Sequence, residues 1–188
     1  NAGLQTLSMN YLAQHPIEPA VLFAGTQDNG GQRFTGEEAW LYSFPGDAGY
    51  PIVNWKDPYR ILMTYVYGTV CRARDGGKRY SKLNIENASV PLEKLEVEPV
   101  LFKAPLAGTP PPRDLSNLTQ EQEADADLVA FGSIRPWIST DFGSTWQSIP
   151  TGTLEDDSLY GLICSLTFAS PTRLYAGTEA GGVYRFDR

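Results

Sequence analysis

Two carboxylates stand where they could do chemistry. Asp28 lies in the run Gly25-Thr26-Gln27-Asp28-Asn29-Gly30, and Asp47 lies in Gly46-Asp47-Ala48-Gly49. Hydrolysis of a glycosidic bond needs two carboxyl groups facing each other, about 5 Å apart for retention and about 6.5–9.5 Å for inversion. Trp40, Tyr42, Tyr50 and Trp55 surround the second run and offer flat surfaces on which sugar rings could stack. A plainer reading competes. Asn-Gly is a strong turn former, so Asp28 and Asp47 are also what a tight turn would select, and the aromatics are also what packed sheets would select.

Other chemistries find less to work with. His15 is the only histidine and Cys71 and Cys164 are the only cysteines, so no zinc-type spacing exists, and neither a metal nor a cofactor is expected. Both cysteines sit in apolar strand contexts, which predicts buried free thiols. A formal charge of −7 argues against a nucleic-acid partner, because phosphate binding needs clustered Lys and Arg. No apolar run approaches the roughly 20 residues of a membrane helix. The chain opens on Asn1, so the absence of a leader says nothing about compartment.

The elements that must position these residues are announced by repeats. Ser139-Thr140-Asp141-Phe142-Gly143-Ser144-Thr145-Trp146 fits the pattern S-x-D-x-G-x-T-W, an Asp box. A weaker copy runs from Ala73 to Tyr80, keeping Asp75 and Gly77 at the same spacing with Tyr80 in place of the Trp, and an eroded one ends at Trp40. The carboxylate accepts hydrogen bonds from amides ahead of it, Gly supplies a positive φ, and the aromatic covers the closed turn. The expected structural set is therefore Ser139, Asp141, Gly143, Thr145 and Trp146, with Asp75, Gly77 and Tyr80.

A second repeat aligns Ala20–Thr26 with Thr172–Thr178, each after a proline-containing turn and before a glycine turn. Asp57–Thr64 is a related middle copy. Each unit reads strand, Pro turn, strand, Gly turn, strand, Asp-box turn, strand, which is one propeller blade. The fold class is thus all-β, a β-propeller segment of three to four four-stranded antiparallel blades starting near Leu4, Tyr50, Leu92 and Tyr160. The last stops at Arg188, where its Asp-box turn is due. Pro110-Pro111-Pro112 and the acidic run behind it predict a surface insertion over 107–127, with a short helical turn within Asn117–Asp125.

In this order the motifs resemble the bacterial neuraminidase-repeat, sortilin-like propellers, which are similar to glycosyl-hydrolase-like repeat proteins. The residues that carry the likeness are Gly25–Gly30, Gly46–Gly49 (Ala48 standing where Gly is usual), Asp57-Pro58, Asp75–Gly77 and the turn ending in Trp146. The resemblance implies a multi-blade wheel. It does not imply one function, since such wheels include endo-xyloglucanases, sialidases, sortilin-type receptors and a photosystem assembly factor. Sialidase chemistry is disfavoured, because Tyr59-Arg60-Ile61 is a poor arginine motif. The expectation is a non-catalytic binding or scaffold module for a glycan or protein ligand, the alternative being a fragment of a xyloglucanase-like glycoside hydrolase using Asp28 and Asp47. Fewer than four blades leave open sheet faces, so the remaining blades are expected from a longer polypeptide or a second chain. The resemblance also points to a secreted or cell-surface setting.

Overall fold

The computed structural model describes residues 8–37, 39–82, 98–154 and 157–188. They form four separate antiparallel sheets, each an up-and-down run of consecutive strands. Blade 1 is β1 (Met9–Gln14), β2 (Val21–Thr26), β3 (Gly31–Thr35) and β4 (Leu41–Phe44). Blade 2 is β5 (Pro51–Val53), β6 (Ile61–Thr64), β7 (Val70–Ala73) and β8 (Ser81–Lys82). Blade 3 is β9 (Leu106–Gly108), β10 (Val129–Gly132), β11 (Pro136–Ser139) and β12 (Gln147–Ser148). Blade 4 has three strands, β13 (Ile163–Ser170), β14 (Arg173–Thr178) and β15 (Val183–Asp187).

Alternation along each strand sends neighbouring side chains to opposite faces, so a middle blade must be apolar on both. Ile61, Leu62, Met63 and Thr64 are all buried, and so are Val129, Ala130, Phe131 and Gly132. Ile61 joins Val21, Phe23 and Ala73 between blades 1 and 2. Leu62 joins Val129, Phe131, Trp137, Phe142 and Trp146 between blades 2 and 3. Ala130, Ile138, Ile163, Leu174 and Phe186 fill the seam between blades 3 and 4.

The outer blades show the same rule with one partner missing. Phe23 and Tyr175 are equivalent in the repeat, each on the second strand of its blade. Phe23 is fully buried against blade 2, whereas Leu174, one position before Tyr175, is the buried residue in blade 4. Leu22 and Tyr175 remain half-exposed. One motif therefore buries opposite faces at the two ends of the chain.

The surface stretch expected over 107–127 begins later. Ala107 and Gly108 are β9 residues paired with Ala130 and Val129, since both are small enough to lie in the seam, and a Cβ on Gly108 would meet Ile52 Cγ2 at 2.9 Å. Beyond Pro110 the chain is exposed until helix α1 (Gln120–Asp125). Thr119 caps it, accepting from the Gln122 amide while the Gln122 side chain accepts from the Thr119 amide. The blade starts assigned near Leu4 and Leu92 fall outside the described residues; the first described strands there are β1 and β9.

The two cysteines form no disulfide, and only Cys71 is buried. Ile163 takes the face of β13 that meets blade 3, so Cys164 beside it points the other way and is exposed.

Candidate functional site

In an up-and-down sheet, turns alternate between two edges. The β2–β3, β6–β7, β10–β11 and β14–β15 turns share one edge with the links that lead into the next blade. The β1–β2, β3–β4, β5–β6 and β7–β8 turns share the other. Asp28 and Asp47 fall on the first edge, one in the β2–β3 turn and one in the link from β4 to β5.

The structure brings these two residues together through backbone. The Asp28 amide donates to Asp47 Oδ1 at 2.9 Å, the Gly30 amide to the Gly46 carbonyl at 2.6 Å, and the Ala48 amide to the Thr26 carbonyl at 3.1 Å. Glycine is required by distance. A Cβ on Gly30 would stand 1.8 Å from the Phe44 carbonyl oxygen, and one on Gly25 would stand 1.9 Å from that of Gly49. Asp28 itself adopts φ 63°, a left-handed conformation that Asp tolerates better than most residues. One Asp47 oxygen thus holds the neighbouring turn. The Asp28 side chain is exposed.

The aromatic candidates do not converge on this pair. Trp40 ends the β3–β4 turn on the opposite edge and lies over Phe34, ring centroids 5.2 Å apart. Tyr42 is exposed on the outer strand β4. Trp55 is buried on the opposite edge, its indole N–H donating to Thr109 Oγ1 at 3.4 Å. Tyr50 lies just ahead of β5, packed on Tyr11 at 3.9 Å with its hydroxyl donating to the Cys164 carbonyl at 3.4 Å. Burial, with Tyr11 and Cys164 beside it, raises the Tyr50 pKa well above the ordinary phenol value.

Three residues that carry no motif share this edge, and one of them, Lys103, lies within electrostatic reach of the carboxylates. Lys103 forms an isolated antiparallel bridge with Val66 in the β6–β7 turn, and the Tyr67 amide donates to the Phe102 carbonyl at 3.1 Å. The Lys103 ammonium is buried without a hydrogen-bond partner among the described residues. Burial lowers its pKa, while Asp47 and then Asp28 act in the opposite sense. Tyr67 (65% exposed) and Phe102 (40% exposed) make an edge-to-face pair at 5.3 Å on the surface. Tyr67 holds φ 50° ahead of Gly68 at φ 80°, so the turn presents a bulky ring from a conformation that bulky residues avoid.

Nearby on the same edge, Glu98 gathers donors from blade 3. It accepts from Arg135 Nε at 2.6 Å, from the Trp137 indole at 3.0 Å and from the Ser133 hydroxyl. That carboxylate is fully engaged as a structural tie. Arg60 is likewise engaged at the opposite edge. Its guanidinium donates to Asp127 Oδ1 at 2.6 Å and lies 4.8 Å over the Phe142 ring.

The two recurring turns of that edge share one bonding pattern. Asp141 Oδ1 accepts from the Ser144 and Thr145 amides at 2.9 and 2.8 Å, and Asp75 Oδ1 accepts from the Lys78 and Arg79 amides at 3.0 and 3.1 Å. Ser139 Oγ also accepts from the Gly143 amide at 2.8 Å, and Thr145 Oγ1 donates to Asp141 Oδ2 at 2.7 Å. Trp146 is buried over its turn, its indole donating to the Gly143 carbonyl at 3.1 Å. Gly77, at φ 78°, leaves room for Phe23, whose ring a Cβ would meet at 2.6 Å, and the Tyr80 ring packs into the seam of blades 1 and 2.

This arrangement of serial, seam-packed sheets has solved counterparts. The GH74 xyloglucanase from Xanthomonas campestris superposes with a TM-score of 0.62 at 16% identity, over 94% of this chain and 28% of that one. YCF48 from Cyanidioschyzon merolae gives 0.51 at 20% identity, over 74% and 36%. The computationally designed Ika4 protein gives 0.55 at 10% identity, over 98% and 94%. The fold is a β-propeller segment. No family model matches the chain, and no curated protein sequence matches it. The chain spans between a quarter and about a third of the natural propellers named above and of an ancestral GH74 enzyme, against nearly all of the designed one.

Among the described residues no group of three or more His, Cys, Asp or Glu is placed to hold a metal ion, and no helix is long and apolar enough to cross a membrane.

Proposed function

We propose that residues 1–188 form one part of an Asp-box wheel of the neuraminidase-repeat, sortilin-like kind, carrying a surface insertion within blade 3 and acting as a non-catalytic binding or scaffold module. Two turns closed by the same carboxylate pattern support the family reading. The observation that carries the non-catalytic reading is the hydrogen bond from the Asp28 amide to Asp47 Oδ1, which gives Asp47 a turn-closing task. The ligand-facing edge is the one with Asp28, Asp47, Tyr67 and Phe102, and it suits a glycan or a protein loop. Exposed aromatic faces take apolar ring surfaces, and the carboxylates take hydroxyl or amide donors. The remaining blades come from a longer polypeptide or from a second chain, and a secreted or cell-surface setting follows from the family reading.

A second reading, a xyloglucanase-like glycoside hydrolase with Asp28 and Asp47 as its carboxylates, is favoured by one observation. Asp47 and Asp28 both act on the buried Lys103 ammonium, which places one cation within electrostatic reach of the two carboxylates. Release of reducing ends from β-glucans separates the two. The non-catalytic reading expects none from the unaltered chain on a broad glycan panel. Release that is lost in both Asp28→Asn and Asp47→Asn overturns it in favour of the hydrolase.

A further inference from the structure

The edge opposite Asp28 and Asp47 holds a charge imbalance that no fold requirement explains. Between Arg72 and Ser81 the chain places Arg72, Arg74, Lys78 and Arg79 against the single acid Asp75, in a protein whose net charge is −7. Arg72, Arg74, Asp75, Arg79, Tyr80 and Ser81 line one open cavity of about 470 Å³ on blade 2.

The groups around it are unequally satisfied. Arg72 is half-buried and held from the next blade, its Nη1 donating to Ser144 Oγ at 2.7 Å. Burial lowers its pKa, and Arg74 and Arg60 add to that shift, which is the signature of cations held close together. Asp75 is engaged by two turn amides and by Arg79 Nε at 3.2 Å. Arg74 has no ion pair among the described residues. Tyr80 also lines the cavity, but its hydroxyl is buried, without a hydrogen-bond partner among the described residues. Among the described residues three guanidiniums and one carboxylate line the cavity, with Asp141 also acting on Arg72, and a fork of guanidinium N–H groups matches the oxygens of an oxyanion.

We propose that this cavity is a binding site for a dianionic oxyanion, a phosphate monoester or a free sulfate ion, with Arg72 and Arg74 as its principal ligands. Arg72 is the fixed member, set by Ser144. Arg74 is the free one, available to close over the ligand. The site lies on the other edge from the glycan- or protein-facing surface, so either assignment stands if the other fails.

The test is isothermal titration of the 188-residue chain at pH 7.5 and constant ionic strength, using sodium sulfate and phenyl phosphate as dianions and sodium acetate as the monoanion. One of the dianions should bind about tenfold or more tightly than acetate, a gap of about 1.4 kcal/mol. The tighter of the two tells a free sulfate ion from a phosphate ester. Arg74→Gln, at an exposed residue without an ion pair among the described residues, should weaken that binding about fivefold or more with an unchanged far-ultraviolet circular dichroism spectrum. Arg72→Gln should do at least as much, and Arg185→Gln on blade 4 should do nothing. Equal affinity for acetate and both dianions, or unaltered binding in Arg74→Gln, overturns the proposal.

Discussion

Asp141 shows how much one side chain contributes here. Burial pushes its carboxyl pKa up, but hydrogen bonds from the Thr145 hydroxyl and amide, the Ser139 hydroxyl and the Ser144 amide outweigh that and leave it lowered. A carboxylate with a depressed folded pKa adds stability above its unfolded value, near 3.9, and loses it as pH falls through the folded value. Thermal melts of the chain and of Asp141→Asn should therefore differ at pH 7 and converge below about pH 4. Asp141→Ala strands two amides and should cost about 1–3 kcal/mol. That is about 2–4 °C of melting temperature per kcal/mol for a chain of this size. Asp75→Ala should cost less, because its turn has Ala73 where the other has Ser139 and lacks the hydroxyl bonds around it. These two turns were legible residue by residue, since every contact within them is local in sequence. Lys103, Tyr67 and Phe102 were not, because only the pairing of Val66 with Lys103 brings them together on that edge, and no motif marks a contact between distant segments.

At the scale of elements, repeats gave the strand order, and hydrogen-bonded register confirms it from β1 to β15. What pattern alone missed was packing between segments that do not repeat. Asn54 is the clearest case. Its Nδ2 donates to the Ala126 carbonyl at 2.9 Å and to Asp127 Oδ1 at 2.7 Å, and its Oδ1 accepts from the Lys56 and Asp57 amides at 3.0 and 2.8 Å. One buried side chain thereby closes the β5–β6 turn and fastens the C-terminal end of α1 to blade 2. Asn54→Ala should cost about 1–3 kcal/mol and raise amide exchange across 120–128 more than elsewhere. Uniform loss of protection over all blades would count against this tie. The β2–β3 turn and the link beside it make a comparable element. Gly30→Ala meets both a left-handed backbone and the Phe44 carbonyl, so it should destabilise by at least the 1–3 kcal/mol typical of overpacking.

The whole molecule is governed by seams. Each seam is a sheet face against a sheet face, and the chain has three of them for four blades. The two outermost faces expose Leu12 at 60% on one side and Val183 at 79% on the other. Such faces call for more blades, so sedimentation of the chain should show association or poor solubility. A stable, compact, isolated monomer of 20.7 kDa would contradict that expectation. The number of blades was readable from the repeats. Which face each blade buries was not, because Val21–Thr26 and Arg173–Thr178 are near copies of one string whose neighbours lie on opposite sides.

That inversion has a use beyond the geometry itself. In a saturation-mutagenesis screen scored by abundance, an open arc would tolerate polar replacements at Leu22 and Tyr175 while rejecting them at Phe23 and Leu174. A closed ring would reject all four. The tolerance profile of two aligned hexapeptides therefore reports inside a living cell whether the circle is complete, with no purified sample required.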